Sequence, residues 1–213
     1  MNPRIVLIAI LTLVLISCTS ITTIDRGACG TGDAGEICLG KQDVPEKQVN
    51  LFNKASQEVV DTLNSPQFIE HLSEYIKKHS EHGAHSESWD DFDVTTVQNK
   101  LINEVNGLTI ETYGGIKGGF LAFFYGNKAF DGTQNGPIKL NRWALPAPSA
   151  SVANTIAHEA AHRIGYSHPH SSQSGKLNIA FCEPPYVIGS IVEQILLDKK
   201  FNASGHCHLL RNT

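Results

Sequence analysis

Residues 158–170 read HEAAHRIGYSHPH, and no other stretch restricts the fold of this chain so tightly. The periodicity predicts a helix from about 149 to 164 whose apolar face is Val152, Ile156, Ala160 and Ile164. His158 and His162 are four apart and so share one side of that helix. It is not the apolar side, since they run with Thr155. Val152, Ile156 and Ala160 point to the core, while Thr155, His158 and His162 point elsewhere. Two imidazoles at this spacing can both reach one zinc ion at roughly 2.0–2.1 Å. Glu159 cannot easily join the same ligand set, yet its carboxylate can reach a water on the metal. Zinc lowers that water's pKa towards about 7, so Glu159 can take its proton and later pass it to a leaving amine. A catalytic zinc also needs a third protein ligand and one open position. Gly165 suits a left-handed helix stop, after which the chain can turn back and present His168.

Together, His158, Glu159, His162, Gly165 and His168 fit the pattern H-E-x-x-H-x-x-G-x-x-H. In this the chain resembles the metzincin metallopeptidases. The resemblance implies one Zn2+ per chain held by His158, His162 and His168, with Glu159 as general base and acid. It implies a zincin-like α+β fold, a small mixed sheet with helices and a zinc-binding active-site helix. It also implies a peptide or protein substrate, cut in a cleft under an edge strand that pairs with the extended peptide. Residues 119–126, GFLAFFYG, are the stretch that best suits that edge strand. The family carries a methionine turn beneath the metal, whereas Met1 is the only methionine here. Residues 182–187, CEPPYV, stand where that turn would be, and Tyr186 either packs there or reaches the oxyanion. A second zincin branch takes its third ligand, a glutamate, from a downstream helix. Glu193 is so placed, but Leu197 stands where that branch has an aspartate.

The N-terminus is not part of the fold. Arg4 precedes an apolar run over 5–16, which is a signal-peptide layout too short for a transmembrane helix. Residues 15–18, LISC, resemble the lipobox of bacterial lipoproteins, in which Cys18 is lipidated and becomes the first residue. Acyl chains on Cys18 would anchor the protein to a membrane, each buried CH₂ contributing about 0.8 kcal/mol. Thr19 in place of aspartate implies, by the same resemblance, an outer-membrane lipoprotein of the bacterial envelope. Four cysteines remain, Cys29, Cys38, Cys182 and Cys207. An even count in an exported chain suggests two disulfides, and sequence proximity favours Cys29–Cys38 and Cys182–Cys207 among the three pairings. A net charge of −4 with no basic stripe argues against a nucleic-acid partner.

Three segments follow: a signal peptide over 1–17, a Thr-, Gly- and Asp-rich tether with a small disulfide loop over 18–44, and a catalytic domain over 45–213. Within the last, Val49, Phe52, Val59 and Leu63 mark one helix. Ser65 and Pro66 are the cap and first residue of a second, and Val94, Val97, Leu101 and Val105 mark a third. LTIETY, GFLAFFYG and IKLNRWAL read as strands, and a last helix starts near Tyr186. Helices, then strands, then helices make an α+β order. The expected activity is that of a zinc metalloendopeptidase-type hydrolase. Two rivals share the motif: a zinc amidase acting on peptidoglycan stem peptides, and a non-catalytic zinc-binding surface lipoprotein. The retained Glu159 speaks against the last, because metal binding alone has no use for it.

Overall fold

The computed structural model describes residues 21–24, 29–32, 35–39, 42–81, 93–114, 129–131, 137–142, 148–166 and 183–199. Cys18, His168, Cys182, Cys207 and the strand expected at 119–126 lie outside the described residues. The first strands are β1 (Ile21–Ile24), β2 (Cys29–Gly32), β3 (Gly35–Leu39) and β4 (Gln42–Pro45). Three helices follow, α1 (Glu46–Leu63), α2 (Pro66–Glu81) and α3 (Val94–Val105). The chain continues through β5 (Leu108–Tyr113), β6 (Ala129–Asp131), β7 (Ile138–Asn141), α4 (Ser149–Arg163) and α5 (Pro184–Leu196). The architecture is α+β. A five-stranded sheet has the order β2-β3-β5-β7-β6, while β1 and β4 form a separate two-stranded ribbon. β3, β5 and β7 run parallel, and the outer strands β2 and β6 are antiparallel to their neighbours.

The helices form where the capping chemistry places them. Ser65 Oγ accepts from the backbone of Phe68 at 3.3 Å and starts α2. Asp93 caps α3 through the Thr96 N–H at 2.8 Å, and the Thr96 hydroxyl donates to the same oxygen at 2.6 Å. Phe52, Val59 and Leu63 of α1 and Leu101 and Val105 of α3 are fully buried, as their spacing predicts. They meet Ile110, Ile138 and Leu140 of the sheet in a single core.

The segment read as a tether contributes to the sheet instead. β2 and β3 form a hairpin, and β3 pairs with β5. A Gly- and Thr-rich composition suggests a linker, but strand pairing is made by backbone groups, which such residues supply as well as any others. The hairpin register sets Cys29 directly opposite Cys38.

α4 occupies the centre, packed against α1, α5, α3 and β6. Its burial is wider than the predicted face: Ala153, Ala157 and Ala161 are enclosed along with Val152, Ile156 and Ala160. Alanines on several sides let neighbouring helices approach a helix closely, so this one is covered over most of its circumference. α5 lies antiparallel to it, because Tyr186 meets His158 while Gly189 meets Asn154 one turn earlier. A side chain at Gly189 would sit 2.4 Å from Asn154 Oδ1 and 2.8 Å from its backbone oxygen, so glycine is what permits the close approach. Among the described residues, no helix is long and apolar enough to cross a membrane.

Candidate metal centre

The C-terminal turn of α4 shows why the sequence spacing matters. Gly165 takes φ 107°. Its N–H donates to the His162 carbonyl at 3.0 Å, and the Tyr166 N–H donates to the Ala161 carbonyl at 3.2 Å. This is the paired closure of a Schellman stop, and it needs a residue without a Cβ at the turning point. The reversed chain brings the Tyr166 carbonyl to 2.7 Å from His162 Nδ1. A carbonyl only accepts, so Nδ1 carries the hydrogen and Nε2 keeps its lone pair. Histidines that bind metals are commonly oriented in this way. Arg163 next in line is ion-paired with Glu104 of α3, which holds the end of α4 in place.

His158 lies one turn back. Its ring centroid is 5.0 Å from that of His162, with the planes inclined at 74°. On its other side the Tyr186 ring meets it edge to face, with centroids 4.5 Å apart. Tyr186 reaches His158 because α5 runs antiparallel and starts at this end of α4. Glu159 is buried, with 7% exposure.

The electrostatics converge on that carboxylate. Burial raises the Tyr186 phenol pKa, and the charges of Glu183 and Glu159 raise it further. Burial likewise raises the pKa of Tyr113 at the end of β5, opposed by a hydrogen bond with Asn141 and reinforced by the charge of Glu159. Glu183 is fully buried at the start of α5, and its side chain does not cap the helix. Both phenols are therefore kept neutral near a buried carboxylate.

Of the expected site residues, the structure brings together His158, Glu159, His162 and Tyr186. Among the described residues, no three His, Cys, Asp or Glu side chains gather closely enough to hold a metal, and His168 lies outside them. Glu193, the rival third ligand, accepts from Asn154 Nδ2 at 2.7 Å, one turn before His158. Tyr113, Asn141 and Glu183 are neighbours that sequence reasoning missed. Tyr113 carries a weak signal, as the aromatic closing the alternating strand LTIETY. Asn141 and Glu183 carry none beyond being polar where the surroundings are apolar.

No protein-family model matches the chain, and neither the search of characterised proteins nor that of solved structures returns a match. The functional reading therefore stands on these residues alone.

Proposed function

We propose that this protein is a zinc-dependent metallopeptidase of zincin type, lipid-anchored through Cys18 at the bacterial envelope. The observation that carries the proposal is the helix-end turn. It fixes the His162 tautomer through the Tyr166 carbonyl and leaves Nε2 for a metal, one turn from His158 and beside buried Glu159. These residues fit zinc: two imidazoles on one helix side, one of them locked by a backbone acceptor, with His168 six residues beyond His162 as the third donor. Among the described residues β6 is outermost in the sheet and antiparallel to β7, and both precede the active-site helix α4 in the chain; the stretch expected to pair with an extended peptide, 119–126, lies outside the described residues. The facing positions of Cys29 and Cys38 suit a disulfide in an exported protein.

Bound zinc supplies Lewis acidity and a water of lowered pKa. Glu159 removes a proton from the attacking water, whose oxygen bonds to the carbonyl carbon of the substrate. The C–N bond then breaks, and Glu159 returns the proton to the leaving amine. Burial around Glu159 excludes bulk water, which strengthens each of these interactions.

Two measurements test the reading. Purified protein should carry about one zinc per chain by elemental analysis; no metal and no uptake of added zinc would end the proposal. Glu159→Gln should retain zinc and fold but lose about 10²–10⁴-fold in turnover, the usual range for a general acid–base group. Casein and peptidoglycan, offered separately to protein lacking Cys18, divide peptidase from amidase, and neither being cut leaves the non-catalytic zinc-binding lipoprotein.

A further inference from the structure

A polar cavity of about 420 Å³ lies at the amino ends of β5 and β7, the opposite ends of these parallel strands from Tyr113 and Asn141. Glu104, Asn106, Thr109, Glu111, Pro137 and Arg163 line it. Its form follows from the local sequence. Leu108 and Ile110 of β5 are buried in the core, so the alternate residues Thr109 and Glu111 face the other side of the sheet. Asn106 caps the end of α3, and Gly107 at φ 80° turns the chain into β5. That turn sets the last residues of α3 beside the first residues of the strand. Arg163 of α4 has only 8% of its side chain exposed and is ion-paired with Glu104. Among the described residues, the side chains of Asn106, Thr109 and Glu111 make no hydrogen bond or ion pair. Lys139 stands opposite Glu111 on β7, but it does not line the cavity.

Charge and size together define what the cavity would take. Its lining carries two carboxylates against one guanidinium, and that guanidinium is engaged with Glu104. Glu111 is therefore the lining charge without an opposite. The carbonyl end of α3 adds partial negative charge, and no basic residue stands in its last turn to offset it. The space is far larger than one ion needs and falls within the range of small-molecule sites, about 300–1,000 Å³. We propose that this cavity is a binding site for a small organic cation, an amine or guanidine of about amino-acid size. The charged nitrogen sits on the Glu111 carboxylate, and further N–H groups reach the Thr109 hydroxyl and the Asn106 amide oxygen. Binding makes and breaks no covalent bond. The site shares α4 with the histidines but uses none of their side chains, so the assignment stands independently of the peptidase reading.

The test is calorimetric titration of the full chain with three probes: agmatine, which carries an ammonium and a guanidinium, pentanol as a neutral chain, and calcium chloride as a bare ion. Agmatine should bind once per chain and pentanol should not. Glu111→Gln should keep its circular dichroism and weaken agmatine roughly 10–100-fold, the effect of one hydrogen bond to a charged group. Thr109→Ala, which removes an exposed hydroxyl, should weaken it by about 3–10-fold, the effect of one neutral hydrogen bond. Glu46→Gln removes an exposed carboxylate on α1, away from the cavity, and should change nothing. Absence of agmatine binding overturns the proposal. Equal weakening by Glu111→Gln and Glu46→Gln also overturns it, since attraction to the net charge of −4 would then suffice. Calcium binding more tightly than agmatine, and losing affinity in Glu111→Gln, makes this an ion site and overturns the organic class. If Glu111→Gln does not fold, Thr109→Ala decides, and unchanged agmatine affinity there overturns the site.

Discussion

His162 is oriented by a carbonyl four residues along its own chain, whereas Tyr113 is oriented by a side chain on the neighbouring strand. The first contact needs only a helix, a glycine and the return of the backbone. The second exists only after β5 and β7 have paired in one register, and a slip of one residue would turn Tyr113 to the opposite face of the sheet. The helix-end contact is thus local in origin and the strand-end contact is long-range. Damage to one should be separable from damage to the other.

The largest effect expected on the local half comes from its third ligand. His168→Ala should abolish most zinc affinity, while Glu193→Ala should leave it nearly intact, because the Glu193 carboxylate is engaged with Asn154. Titration of apo-protein with zinc, with folding checked by circular dichroism, decides the matter. The reverse outcome moves the third ligand to α5.

Gly165→Ala addresses the turn itself. A side chain at φ 107° is strained, and relief of the strain would move the Tyr166 carbonyl away from His162. Zinc affinity should drop roughly 10–100-fold, the usual cost of losing such an orienting partner. If affinity holds while thermal stability falls, the carbonyl contact is incidental.

Gly189→Ala attacks a different long-range contact, the packing of α5 on α4. The added methyl would collide with Asn154 and force α5 off α4, at a cost of about 1–3 kcal/mol in a denaturant titration. The zinc-binding pair, both on α4, should survive with affinity little changed. A loss of zinc equal to that of Gly165→Ala would show that the helix-end half is less local than its contacts suggest.

The smallest effect lies away from the site. Hydrogen bonds from the Thr96 hydroxyl and the backbone hold the Asp93 carboxyl below its ordinary value. A depressed folded-state pKa adds stability that is present above the unfolded value of about 3.9 and is lost as pH falls through the folded one. Asp93→Asn should therefore flatten the dependence of the urea midpoint on pH in the acid range and leave zinc binding unaltered. An unchanged acid slope would mean that the cap contributes nothing to folding.

Much of the fold was legible. α1, α3 and α4 follow their apolar spacing, and the Ser65–Pro66 start and the Gly165 stop fall where side-chain chemistry puts them. These features depend on residues within a turn or two of each other, so the pattern survives in one dimension. The strand at the start of the sheet was not legible. Residues 29–39 read as a tether because β3 owes its place to pairing with β5, and glycine and threonine do not advertise a partner far along the chain. Tyr113 and Asn141 went unread for the same reason: each is one polar residue in a strand until the register sets them side by side.

The sequence by itself determined the spacing of His158, Glu159 and His162, the glycine that ends their helix, and hence the side of the helix on which the imidazoles lie, because i to i+4 geometry is independent of what surrounds a helix. Only the tertiary structure decided that Glu159 is buried, that Tyr186 lies against His158, that Asn154 occupies Glu193, and that Tyr113 stands opposite Asn141 across two strands. Burial and the meeting of distant side chains depend on how α4, α5 and the strands dock, and docking is settled by the fit of whole faces, such as the close approach that Gly189 allows, rather than by any short run of residues.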